Sequence, residues 1–276
     1  MRPKIVAELF ANRPPAVAHG GKPGLPARLA AGGFPEAARR AGGESRLAWF
    51  ESYVTAITQR DIRDLSAIEG LTALPRLLSL LALRSGGLLN GAELSRSAGI
   101  AQATLRRYLA LLEATFLLQP LPAWHANLGK RLIKAPKTYL LDSGLACALS
   151  GVDTASVAAA PHYGGLLETF VLGELRRLLS GAPGAPRVYH YRSAGGIGVD
   201  FVLEDAAGRL VGIEVKATQN LGERQFSGLK DLAQAAGERF ACGIVLYGGR
   251  ETLRFGEKFH AVPIAALWSG AKVTRS

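Results

Sequence analysis

Between residues 164 and 247 the apolar pattern changes period in a fixed order, and that order limits the fold more than any other feature of the chain. Leu167, Val171, Leu175 and Leu178 form one stripe at helical spacing and predict a helix over 164–179. Residues 187–192 alternate as a strand. After the Gly-rich stretch 193–198, residues 199–204 and 209–217 read as two further strands, joined by the turn Asp205-Ala206-Ala207-Gly208. A helix over 226–236 and a strand over 240–247 complete the run. Helix, three strands, helix, strand describes an α/β layer with a mixed central sheet flanked by helices.

The chain has 276 residues, enough for about two domains, and its composition shifts near 70 and 150. Residues 1–70 read as a helical lead-in whose opening third is rich in Pro and Gly. Within it, Gly32-Gly33-Phe34-Pro35-Glu36 starts a short helix, with Pro35 in the first turn and Glu36 near its positive end. Trp49, Tyr53, Ile57 and Ile62 predict an amphipathic helix that continues through Asp61 and Asp64.

Residues 71–150 read as a winged helix. Helices are expected over 74–83, over 91–97 with Asn90 as cap, and over 102–115 with Leu105, Leu109 and Leu112 inward. Gly99 makes the turn between the second and third. Strands over 116–122 and 132–140 would then form a hairpin around the loop 125–131. The whole is α+β: a lead-in, a winged helix, and a sheet domain over 151–276.

Charge points to a partner. Lys and Arg number 33 against 22 Asp and Glu, a net of +11, and 24 of the 33 are Arg. Arg forks suit phosphate, so nucleic acid, DNA foremost, is the expected partner class. A GC-rich genome would raise the Arg share as well. Residues 67–150 hold nine basic and four acidic residues, whereas 151–276 hold fourteen and twelve. The third helix offers Arg106 and Arg107, and the wing offers Lys130, Arg131, Lys134 and Lys137 as phosphate contacts. The same module can also serve as a protein-binding scaffold with a solvated basic face.

Other classes fall away. Cys147 and Cys242 form no disulfide framework or zinc motif. No GxxxxGK[ST] loop occurs, since Gly20-Gly21-Lys22 is followed by Pro23. No apolar run reaches membrane-spanning length, and Glu8 interrupts the only apolar start. A cytoplasmic protein is the expectation. The five histidines show no ligand spacing.

The chemistry concentrates in the strand pair. Glu214 and Lys216 point to one face, and Asp200 begins the partner strand close enough to join them. Adjacent carboxylates repel unless a cation lies between them, and oxygen donors favour Mg²⁺ or Mn²⁺. Lys216 would orient a water and neutralise phosphate charge. Glu168, on the preceding helix, is a candidate further ligand. Such a site would hydrolyse a phosphodiester; a plain cross-strand ion pair is the alternative.

These residues resemble a known signature. Asp200-Phe201-Val202-Leu203-Glu204 with Gly212-Ile213-Glu214-Val215-Lys216 looks like the PD-(D/E)XK motif, and Gly165-Leu166-Leu167-Glu168-Thr169-Phe170-Val171 looks like the helix glutamate before it. More broadly, residues 30–268 resemble the C-terminal region of prokaryotic AAA-type ATPases, where a winged helix is joined to a nuclease-like fold. Gly32-Gly33-Phe34-Pro35-Glu36, Arg60-Asp61-Ile62 and 134–145 carry that similarity. The resemblance implies a restriction-endonuclease-like domain with Asp200, Glu214, Lys216 and Glu168 as catalytic positions, and Asp200, Glu214 and Glu168 as metal ligands. It also implies an alternative: a non-catalytic nucleic-acid- or protein-binding module derived from an ATPase, or accessory to a separate ATPase chain. The P-loop module is absent here, and Gly198 stands where that family often has an acid.

Overall fold

The computed structural model describes residues 3–15, 24–61, 71–127, 129, 131, 134–180 and 184–268. Its helices are α1 (Pro3–Phe10), α2 (Leu25–Ala31), α3 (Pro35–Arg39), α4 (Gly43–Ala56), α5 (Leu74–Leu83), α6 (Gly91–Ala98), α7 (Gln102–Ala114), α8 (Ser143–Ser150), α9 (Tyr163–Leu179) and α10 (Ser227–Ala236). Its strands are β1 (Leu118–Leu121), β2 (Lys137–Leu140), β3 (Arg187–Arg192), β4 (Gly198–Glu204), β5 (Leu210–Lys216), β6 (Phe240–Tyr247), β7 (Leu253–Arg254) and β8 (Phe259–Pro263). The fold is α+β, with a helical region followed by a mixed six-stranded sheet. Two compact units divide the chain, and neither is continuous in sequence. One comprises Met1–Lys22, Leu121–Lys134 and Glu174–Ser276; the other comprises Pro23–Pro120 and Ala135–Gly173.

In the helical unit, α5 buries Leu74, Leu77, Leu78 and Leu81 along one stripe. Asn90 caps α6 by accepting from the Glu93 N–H at 3.1 Å, and Gly99, at φ 70°, ends it. α7 buries Leu105, Leu109 and Leu112, as the periodicity predicts, together with Tyr108. β1 and β2 then form a two-stranded sheet. Residues 86–89 bond to the start of β2, with Gly86 N donating to Thr138 O at 2.8 Å and Thr138 N to Gly87 O at 2.9 Å. The strands are shorter than expected: β2 begins only after Pro136, whose ring nitrogen has no hydrogen to donate.

Two of the sequence stretches noted above meet in this unit. The Asp142 carboxylate accepts from Leu145 N at 3.0 Å, capping α8, and from Gly33 N at 2.6 Å. Gly144 lies against Phe50 and the backbone of Ala31, where a first side-chain carbon would come within 2.8–2.9 Å of both. The amphipathic helix expected through Asp64 ends earlier as a regular helix: α4 stops at Ala56 and a π turn follows over Ile57–Asp61. Ile62 and Asp64 lie outside the described residues.

The sheet of the other unit runs β3-β4-β5-β6-β8-β7. β3, β4 and β5 are antiparallel, β6 runs parallel to β5 and β8 parallel to β6, and β7 is antiparallel to β8. Helix α10 makes the crossover from β5 to β6. Gly212 and Gly243 let it settle closely, since a first side-chain carbon at Gly212 would stand 2.7 Å from Leu229 and 2.9 Å from Leu232. Ile213, Ile244, Leu246 and Val262 face the opposite side. They share an apolar pocket with Ile5 and Leu9 of α1 and with Leu175 and Leu178 of α9. Both faces of the sheet are thus covered, which explains why β5 and β6 are apolar almost throughout.

Candidate functional site

The β4–β5 ladder pairs Glu204 with Leu210 and runs to Phe201 opposite Ile213. One position further, side chains take over from the backbone. Val215 N donates to Asp200 Oδ2 at 2.9 Å, and Asp200 N donates to Glu214 Oε2 at 3.3 Å. Lys216 Nζ lies 2.6 Å from Glu214 Oε1. On its other edge β5 continues in register, with Glu214 beside Val245 and Lys216 beside Tyr247. The strands therefore fork, and two carboxylates and an ammonium occupy the fork.

Val245 and Tyr247 belong to the core cluster that holds Phe226, Leu229 and Leu232, so the fork lies on the α10 face. The Glu214 side chain is 12% exposed and that of Lys216 is 38% exposed, so solvent reaches Lys216 more than Glu214. Gly228, in the first turn of α10, sits against the start of β4; a first side-chain carbon there would fall 2.1 Å from Gly198 O. The same crowding accounts for Gly198: a side chain there would press on Tyr191 O at 3.1 Å. Tyr191 OH in turn donates to Asp231 Oδ2 of α10 at 2.6 Å, and the tyrosine's own acidity is weakened by burial and by that carboxylate. No spacing in the sequence links positions 191 and 231.

Asp200 and Glu214 supply hard oxygen donors on adjacent strands. That set suits Mg²⁺ or Mn²⁺, which complete their shells with water and phosphate oxygens. Among the described residues, no three or more His, Cys, Asp or Glu side chains gather into a metal-holding group. Glu168 belongs to the helical unit, where its Oε2 meets Lys137 Nζ at 2.9 Å and accepts from Tyr139 OH at 2.8 Å.

The expected wing cations are placed differently from the sequence reading. Lys130 lies outside the described residues. Residues 121–134 belong to the sheet unit, where Trp124 N donates to His190 O at 2.6 Å and His190 N to Pro122 O at 2.9 Å. Arg131 does not face solvent. Its Nη1 and Nη2 grip Glu204 at 2.8 and 2.9 Å, its guanidinium lies over the rings of Trp124 and Tyr189, and its side chain is 9% exposed. That fork holds the Glu204 carboxyl below the usual range, and Glu204 raises the basicity of Arg131. Lys134 donates to Arg192 O at 2.7 Å, and Lys137 is the partner of Glu168. Arg106 and Arg107 remain exposed on α7. The rings of Trp124 and Tyr189 shield the Arg131 pair from water, whereas Lys134 and Lys137 each have a carbonyl or carboxylate of the protein within reach.

Residues 23–156 match the family described as Domain of unknown function (DUF8612), and residues 163–267 match Domain of unknown function (DUF4143). Uncharacterized protein Rv2008c of Mycobacterium tuberculosis and Uncharacterized protein Mb2031c of Mycobacterium bovis are each 33% identical to it over 235 residues, covering 84% of this chain and 51% of theirs. The chain thus spans about half the length of the curated relatives it matches. No solved structure matches significantly. Among the described residues, no helix is long and apolar enough to cross a membrane. By these matches the chain carries two domains of unknown function in tandem, the first over most of the helical region and the second over the central sheet.

Proposed function

We propose that this chain is a DNA-binding protein with a divalent-metal-dependent phosphodiesterase site of the PD-(D/E)XK type. The observation that carries the reading is the convergence of Asp200, Glu214 and Lys216 in the β4–β5 fork. The order helix, three antiparallel strands, crossover helix, parallel strand supports it as the scaffold of such a site. In the helical unit, the order helix, short bridge, helix, helix, two strands supports a winged helix as the binding module.

Asp200 and Glu214 would hold Mg²⁺ or Mn²⁺. When bound, that ion polarises a phosphoryl oxygen and lowers the pKa of its water. Lys216 holds a positive charge at the mouth of the fork, where it would orient the attacking water and offset charge developing on the phosphate. Val215 N and Asp200 N fix the carboxylates in place beforehand. Glu168 is left out of this set, because Lys137 and Tyr139 already brace it. Arg106 and Arg107 would supply phosphate contacts.

A specific observation favours a second reading, a non-catalytic module that works with an ATPase. Arg131, Lys134 and Lys137 are engaged within the fold, which thins the basic surface. The second matched domain is commonly found in the C-terminal regions of AAA-type ATPases. Nicking of supercoiled plasmid in Mg²⁺ separates the two. The phosphodiesterase reading expects cleavage that chelation abolishes and that falls by about 10²-fold or more in Asp200→Ala and in Lys216→Ala. Absence of metal-dependent nicking, or wild-type rates in both variants, would overturn it.

A further inference from the structure

Helix α4 buries one side chain in the helical unit. Of its fourteen residues only Phe50 is buried, seated where Gly144 leaves room for its ring. Trp49 and Tyr53 stack on each other with centroids 5.2 Å apart and lean on Phe34, so the aromatic side of the helix is occupied. The side formed by Glu44, Leu47 and Glu51 is not. Leu47 is 42% exposed there, beside an open cavity of about 590 Å³ between α4 and α8.

The shape of that cavity follows from the two helices. Its α4 wall runs from Gly43 to Glu51 and its α8 wall from Gly144 to Gly151, in each case about two helical turns. The α8 wall is built from small residues, Gly144, Ala148 and Gly151, which let another backbone approach closely. At Gly43 and at Gly151, both in its lining, a side-chain carbon would meet nothing within 4 Å, so the groove is open at these positions. A third helix fits such a trough, with one apolar stripe on the floor.

Charge selects its chemistry. Glu44, Glu51 and Asp153 line the groove; among the described residues its one lining cation is Arg46, whose guanidinium is turned to the carbonyls of Ala37 and Arg40. The Asp153 carboxyl is held below its usual range by the Ser156 hydroxyl and stays anionic. On a chain of net charge +11, an acid-lined apolar groove is a local reversal of sign. We propose that the α4–α8 groove is a docking site for an amphipathic helix of a partner protein that carries basic residues beside its apolar stripe.

The probe is a synthetic Leu/Lys amphipathic peptide of about 18 residues, with a Leu/Glu counterpart of the same pattern. Binding to the full chain is read by anisotropy of a labelled peptide. The proposal expects saturable binding of the Leu/Lys peptide and none of the Leu/Glu peptide. Affinity should fall by about tenfold or more in Ala148→Tyr, which fills the trough, and in the double variant Glu44→Lys with Glu51→Lys, which reverses its charge. Leu47→Asp, at the exposed rim, gives the same test should Ala148→Tyr fail to fold. Equal binding of the two peptides, or Leu/Lys binding unchanged in the rim variants, would overturn the proposal. So would a chain dimer in sedimentation that Leu47→Asp dissociates, because the occupant would then be a second copy.

Discussion

Arg131 faces a carboxylate, and the reason is local. Its side chain runs between Trp124 and Tyr189, rings that exclude water, and ends on Glu204, which also accepts from Trp124 Nε1 at 3.3 Å. A charge pair this covered is held by mutual need: removing one member leaves the other buried and unpaired. Glu204→Gln is expected to cost about 3 kcal/mol in urea unfolding at neutral pH. The pH dependence has a definite sign. The folded carboxyl lies below its unfolded value, so its contribution is full above about pH 4.3 and fades as pH falls through the lower folded value. Stability curves between pH 7 and pH 3 should therefore show a loss at the acid end that Glu204→Gln lacks. At this scale the sequence is legible only where regular structure sets direction. Alternation put Glu214 and Lys216 on one face, and hairpin geometry brought Asp200 to them. Arg131 lies 73 residues from Glu204 in an irregular segment, and no periodicity reports such a pair.

Helix α10 and strand β4 touch through two glycines, and the fork depends on that contact. Gly228→Ala would push a methyl into the Gly198 carbonyl. Overpacking of this kind costs about 1–3 kcal/mol and should move the first turn of α10 away from the start of β4. Thermal and urea unfolding measure the first effect. A plasmid-nicking rate that falls further than the loss of folded protein measures the second. The elements that could be read in advance are those with many periods: α9, β4, β5, β6 and α10. Strand β8 could not, since five residues ending in Pro263 give little alternation, and its pairings with β6 and β7 define it. The β1–β2 hairpin was legible as two strands, but not that residues 121–134 between them join the other unit, because that depends on Trp124 finding a core cluster beside Tyr189 and Tyr191.

At the scale of the molecule, the net charge of +11 overstates the surface open to a polyanion. Lys134 and Lys137 have internal acceptors, while Arg106 and Arg107 stand exposed on α7. Each phosphate contact adds about 0.9 to the steepness of the logarithmic salt dependence of duplex binding. Replacing Arg106 and Arg107 together by Ala should lower that slope by about 2, and replacing Lys134 by Ala should leave it unchanged. The central claim is that the β4–β5 fork is a cation site and more than an internal brace. Titration of the full chain with Mn²⁺, followed by electron paramagnetic resonance of the free ion, addresses it directly. The account predicts one Mn²⁺ per chain, with affinity about tenfold weaker or worse in Asp200→Ala and Glu214→Gln and unchanged in Glu168→Gln. No bound Mn²⁺ in the wild type, or equal binding in all three variants, would contradict it.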